Sequence, residues 1–297
     1  MIFIGFGFLM VFLKTHSWTS VGFNLIIAAY ALQISIIVTG FWHQLLVVRE
    51  FHKINLDIPA LIIGDFGAGA VLITFGALLG KVSIFQLWIL ATFEIIFYGL
   101  NEAIGAGLLQ AVDMGGSMYV HTFGAYFGLA ASYFFLPKKA IADAEQRCGG
   151  GYNSQLIAMI GTIFLWMYWP SFNGALAAAS QQQRVIVNTV MAISSSCICS
   201  IGISRLFYQR LDMEVVLNAT LAGGVAVGSA SDLVVTAAMA MLIGGAAGIV
   251  SAFGFLKLSK FLQEKINLHD TCGVHNLHGI PGIMGGVIGS ISATMSG

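Results

Sequence analysis

The sequence predicts an all-α, polytopic transmembrane helix bundle built as an inverted five-plus-five helix repeat. Three observations predict it. Hydrophobic residues make up 58% of the 297 positions and charged residues 9%, with a mean hydropathy of +0.88. Soluble domains carry about 25% charged residues, so lipid has to be the solvent for most of this surface. Apolar runs of spanning length recur along the whole chain. One pattern, an Asp followed eight residues later by a His, occurs twice, each time at the start of such a run.

A spanning helix needs roughly 20 mostly apolar residues. The runs that meet or approach this are Met1–Leu13, Val21–Leu46, Asp57–Gly80, Phe85–Leu109, Gly116–Phe135, Gln155–Phe172, Val185–Phe207, Val215–Val227, Leu233–Leu256 and Cys272–Met295. The first is short, as if its start were missing. The eighth is short and rich in Gly and Ala. Loops that alternate sides divide the basic residues unevenly. Lys14, Lys81, Lys138, Lys139, Arg147, Arg205, Arg210, Lys257, Lys260 and Lys265 fall on one side; Arg49, Lys53 and Arg184 fall on the other. The positive-inside rule puts the larger set in the cytoplasm. An even number of spans then leaves both chain ends outside, and we expect a further spanning segment to be absent at each end.

Other classes fit poorly. Thirteen basic and thirteen acidic residues give a net charge of zero, with no basic patch for nucleic acid. Of the four cysteines, Cys148, Cys197, Cys199 and Cys272, only Cys148 falls in a loop, so no disulfide framework is expected. The N-terminal run lacks the basic start of a signal peptide. We read a single membrane domain over 1–297. The 36 glycines, as at Gly64–Ala68 and Gly223–Gly228, imply close helix packing.

The two echoes are DMGGSMYVHTFG, with Asp113 and His121, and DTCGVHNLHGIPG, with Asp270 and His278. On a regular helix eight residues make just over two turns, about 12 Å, so each Asp and His should share a face. Asp113 opens the fifth run from outside and Asp270 opens the tenth from inside. That is an inverted repeat, one copy over about 1–136 and the other over about 154–297. Solute paths lie at such repeat interfaces near the midplane, where His121 and His278 would face each other. Ionisable groups within spans are functional candidates by default. Asp113 and Asp270 read as helix N-caps that hold the His-bearing starts.

Four strings carry a resemblance: DMGGSMYVHTFGAYFGL (Asp113–Leu129), GTIFLWMYWPSFNGA (Gly161–Ala175), NATLAGGVAVG (Asn218–Gly228) and DTCGVHNLHGIPGI (Asp270–Ile283). They resemble the Rh glycoproteins, the Rhesus branch of the ammonium transporter superfamily, over essentially the whole chain. The resemblance implies a multi-pass protein of the cell membrane, a homotrimer or a heterotrimer with related Rh subunits, and a pore in each subunit. It implies passage of ammonia as the neutral molecule after ammonium is recruited. No enzyme activity, cofactor or metal is implied. His121 and His278 match the twin pore histidines. Phe66, in GDFGAG, and Phe172, in WPSFNGA, match two stacked gate phenylalanines; from the residues alone they read as ordinary packing in a chain with 22 Phe. Glu102, in LNEAIG, matches a vestibule carboxylate, and Asp65 a further family carboxylate. Asp113 and Asp270 match the family's paired aspartates. Family members carry further segments beyond both ends of this chain. The related Rh blood-group antigens lack the twin histidines.

The implied mechanism is physical. A carboxylate and aromatic faces favour a cation in the vestibule. An apolar pore rejects the bare ion far more strongly than a small neutral molecule. A neutral imidazole pair offers both donor and acceptor nitrogens, and two touching imidazoles are not both charged cheaply. No nucleotide motif is present, so the flux should be passive. Three rival readings remain. Ser117, four residues before His121, allows an intramembrane protease, although no H-E-x-x-H motif occurs; a non-conducting structural subunit is the second, and a gas channel whose main cargo is CO2 is the third. Asn218 stands in an N-A-T sequon, but its span argues against glycosylation. His275 reads as a packing or hydrogen-bonding residue, and His16, His43, His52 and His269 as interfacial. Glu94, in ATFEIIF, is an intramembrane carboxylate with no counterpart in the family pattern.

Overall fold

The computed structural model describes residues 2–12, 17–136, 141–142, 151–233 and 236–296. The sequence readings for Lys14, His16, Lys138, Lys139, Arg147 and Cys148 lie outside these residues. The described residues contain helices and no strand. We number ten helical segments: α1 (Ile2–Phe12), α2 (Ser17–His43, widening into a π-type turn over Gln44–Val48), α3 (Ile58–Leu78), α4 (Ile84–Leu108) and α5 (Ser117–Thr122 continuing as Phe123–Phe135). The second five are α6 (Tyr152–Asn173), α7 (Ala179–Tyr208), α8 (Met213–Ala230), α9 (Ala237–Ile266) and α10 (His275–Gly279 continuing as Ile280–Ser296). Seven of these, α2, α3, α4 and α6 to α9, are long and apolar enough to cross a membrane, and α1 is apolar but shorter. The glycines, serines and histidines of α5 and α10 dilute their apolar content.

Three of the boundaries that differ from the sequence reading show why. Helix α7 starts at Ala179, before Val185, because the Gln181 side chain accepts from the Ala178 amide and lets a polar first turn form. Helix α9 starts at Ala237 rather than Leu233 because Thr236 caps it, accepting from Met239 N at 3.2 Å. It also runs past Leu256 as a polar helical end, Ser259–Ile266. Hydropathy ends where charge begins, but a helix does not.

The repeat is legible in the helix ends. Asp57 caps α3 by accepting from Ala60 N at 2.9 Å, and Asp212 caps α8 by accepting from Glu214 N at 3.0 Å. Ser83 caps α4 as Thr236 caps α9. Among the described residues four non-glycines adopt the left-handed conformation, and they also pair. Arg49 and Gln209 terminate α2 and α7; Gln110 and Asn267 follow α4 and α9. Each capping or terminating residue thus has a partner five helices on. With five helices per half, an alternating chain enters the second half from the opposite face.

Packing follows the same rule. Helix α2 lies against α3 and α4, and α7 lies against α8 and α9; α3 packs on α5 as α8 packs on α10. Across the halves α1 meets α6 and α5 meets α10. Lipid supplies no hydrophobic drive between helices, so close backbone approach and buried polar bonds have to hold them. Ser196 Oγ donates to Ala219 O at 2.9 Å and accepts from Gly223 N at 3.1 Å, tying α7 to α8. The loops also meet by side. Lys81 bonds His269 O at 3.0 Å, joining two loops that the charge rule puts inside, and Arg184, early in α7, bonds Asp232 O at 2.9 Å on the side that rule puts outside.

Candidate functional site

The two His-bearing starts are built alike. Asp113 Oδ2 accepts from Met118 N and Tyr119 N, each at 2.9 Å, and Ser229 Oγ donates to Asp113 Oδ1. Asp270 accepts from Val274 N and His275 N, each at 2.9 Å. Three residues after each Asp stands a glycine with positive φ, Gly116 at 69° and Gly273 at 67°. An L side chain is strained there, and each glycine turns the chain into a wide π-type turn. His121 and His278 sit on those turns. The regular-helix geometry expected between Asp and His therefore does not occur. The helix begins at Ser117, so Asp113 stands a turn before it and does not share a face with His121.

The turns bring the imidazoles together. His278 Nδ1 and His121 Nδ1 are 3.1 Å apart, with ring centroids at 5.1 Å and planes within 12°. Only one proton fits between two such nitrogens, so one ring donates and the other accepts. Exposure is 1% for His121 and 4% for His278. Aromatic rings close the pair from both ends. Trp169 stacks on His121 at 5.6 Å, Phe172 lies 5.6 Å from His121, and Phe6 stacks on His278 at 6.3 Å. Phe66 lies 4.9 Å from Phe172 at 61°, an edge-to-face contact. A row runs Phe66, Phe172, His121, His278, Phe6. His121 Nε2 is buried with no hydrogen-bond partner among the described residues.

Beyond His278 the row opens inward. A chamber of about 20 Å³, lined by Phe6, Asn218, Cys272 and His278 among others, has room for about one water-sized molecule. It adjoins a polar cavity of about 240 Å³ whose lining includes Glu214, Ser259, Gln263, His269 and Asp270. The two share Phe12, Asn218 and Cys272.

The other expected residues are distributed differently. Glu102 lines a cavity of about 380 Å³ with Ile36, His43, His52 and Ile63, and neither Phe66 nor Phe172 lines it. Glu102 lies near the end of α4, facing α2 and α3. Asp65 is half-buried on α3, next to Phe66. The Ser117 hydroxyl is buried and committed: it donates to Val225 O and accepts from Ser229 N, each at 2.7 Å, an arrangement for helix docking rather than nucleophilic attack. Glu94 is fully buried, with Oε1 2.7 Å from Thr74 Oγ1, which lies 2.8 Å from Gly124 O. This joins α4, α3 and α5 one turn beyond His121. His269 lies in the loop between α9 and α10 but is buried. It is 7% exposed because Lys81 draws it inward, donating to its Nδ1 at 2.9 Å and its carbonyl at 3.0 Å.

His269 gives a prediction. Burial first, and the Lys81 ammonium second, push its pKa from 6.5 down to about 4. The unfolded chain then binds more protons than the folded one between these values. The stability this neutral imidazole contributes is present above pH 6.5 and is lost as pH falls toward about 4. In thermal melts of the detergent-purified protein, His269→Gln should show a smaller fall in midpoint across that window than the wild type.

The sequence reading gave Trp169, Asn218 and Cys272 no part in the site. Trp169 stands three residues before Phe172, one helical turn, so the same face was available as a signal. Asn218 and Cys272 come from elements that only the tertiary fold brings under His278.

A bundle of apolar helices whose halves repeat in caps, turns and packing, meeting at a buried imidazole pair, is a multi-pass membrane protein of the inverted-repeat class. The chain belongs to the Ammonium Transporter Family, whose sequence profile matches residues 1–297. It is 48% identical to "Ammonium transporter Rh type B-A" of Xenopus laevis over 99% of this chain and 63% of that protein. It is 43% identical to "Ammonium transporter Rh type C" of Rattus norvegicus over 100% of this chain and 59% of that protein. The chain thus spans less than two thirds of the length of these curated relatives. Among solved structures, Nitrosomonas europaea Rh50, described with the conduction mechanism of the Rhesus protein family of channels, matches with a TM-score of 0.83 at 30% identity, over 100% of this chain and 81% of that one. Saccharomyces cerevisiae Mep2 shares the fold, with a TM-score of 0.75 at 19% identity over 98% of this chain and 71% of that one.

Proposed function

We propose that this chain conducts ammonia as the neutral molecule, passively, along the aromatic row and past His121 and His278. The observation that carries the reading is the imidazole pair. It is shut from water and tied nitrogen to nitrogen, and it leaves one buried ring nitrogen without a protein partner. A neutral hydrogen-bonding molecule can satisfy that nitrogen; a bare cation in the same apolar enclosure loses its hydration with no carboxylate in contact. The relatives named as ammonium transporters support the same cargo.

On this reading Phe66 and Phe172 gate the outer approach, and Glu102 and Asp65 supply negative charge toward the outer face. Asp113 and Asp270 hold the turns that present the histidines. Residues 1–297 act as one membrane domain of two halves, about 1–136 and about 154–297. The protein works in the cell membrane as a homotrimer or with related Rh subunits, and CO2 is a second cargo. The test is stopped-flow measurement of internal pH in proteoliposomes given an ammonium gradient. Protein-containing vesicles should change pH several-fold faster than empty ones. Equal rates would favour a non-conducting structural subunit.

A further inference from the structure

We propose that Asn218 is a further pore residue: its carboxamide oxygen is the acceptor station for the N–H groups of ammonia between His278 and the inner cavity. This rests on the conduction reading above. Asn218 is 6% exposed and lines both the small chamber under His278 and the polar cavity beyond it. Of the three residues common to both, Phe12 and Cys272 offer no strong acceptor, so Asn218 is the polar group at the junction.

The orientation of its amide is determined. Asn218 Nδ2 donates to Glu214 O at 3.0 Å, one turn earlier on α8. Reversing the amide would set oxygen against oxygen, so Nδ2 faces the backbone and Oδ1 faces away from it. Among the described residues no protein group donates to Oδ1, and Oδ1 is not among the sealed, unpartnered atoms of the core. An acceptor pinned at the junction of two chambers, nine-tenths buried and unpaired, is completed by whatever donor passes. Ammonia has three N–H donors and one lone pair. It can take a hydrogen bond from the histidine pair and give one to Asn218, so its loss of water is offset in two steps rather than one.

The experiment compares ammonia flux in proteoliposomes of the wild type, Asn218→Leu and Asn218→Thr. Leucine removes the acceptor at similar volume; the threonine hydroxyl can donate to Glu214 O as Nδ2 does and still accept through its lone pairs. Asn218→Leu should lower flux about fivefold, the ratio that one hydrogen bond corresponds to, and Asn218→Thr should stay within about twofold of the wild type. Should the leucine variant not fold, Asn218→Ala takes its place in the comparison. Wild-type flux in Asn218→Leu overturns the proposal. So does an equal loss in both variants. A wild type no faster than empty vesicles defeats the conduction reading itself, a distinct result.

Discussion

Replacing either pore histidine with leucine, His121→Leu or His278→Leu, lowers ammonia flux in proteoliposomes roughly a hundredfold. Each substitution removes the polar group that a dehydrated ammonia molecule meets and leaves the opposite Nδ1 without its 3.1 Å partner. An unmet hydrogen bond in a buried site costs about 1–3 kcal/mol. The upper end applies here because both rings are shut in by Trp169, Phe172 and Phe6. About 3 kcal/mol at the narrowest point is about two decades in rate. Stopped-flow pH traces of the two variants beside the wild type check it. Flux within twofold of the wild type in both would remove the imidazole pair from the mechanism.

The largest effect on stability is expected at Gly244. A Cβ there would overlap the backbone of Ala192, where α9 crosses α7. Backbone cannot step aside as a side chain can, so Gly244→Ala should destabilise by about 3 kcal/mol, the upper range for overpacking. Gly202 on α7 is the internal control: a Cβ at that position meets nothing within 4 Å. Alanine is the better helix former by about 1 kcal/mol, so Gly202→Ala should hold or raise the thermal midpoint. Detergent melts should therefore move in opposite directions for one and the same chemical change. A midpoint for Gly244→Ala equal to that of the wild type would refute the close crossing.

What the sequence discloses follows from what lipid demands. Apolar runs have to recur at membrane thickness, so every helix from α1 to α10 is visible as a run. The inverted repeat is visible because two Asp-to-His spacings survive in DMGGSMYVH and DTCGVHNLH. The deeper signs of the repeat are not visible. Arg49 and Gln209, or Asp57 and Asp212, are unremarkable letters until their φ angles and caps are known. Phe66 and Phe172 are two phenylalanines among 22, and only the resemblance singled them out. Glu94 has no account in the sequence because its partner, Thr74, lies on another helix. Glu102 is singled out by family pattern alone, because the α2 and α3 residues that share its cavity come from distant segments. Nothing in the sequence around His269 points to Lys81, a loop residue of the other half that buries it. Wherever a contact depends on two distant segments, one-dimensional pattern gives the residue type and not the neighbour.

The central claim is that the species crossing the imidazole pair is uncharged. Flux and current measured together on the same reconstituted protein, under one ammonium gradient, test it directly. The account predicts a rapid pH change with no ammonium-dependent current above that of protein-free membrane. A current carrying one charge for each ammonia delivered would contradict it.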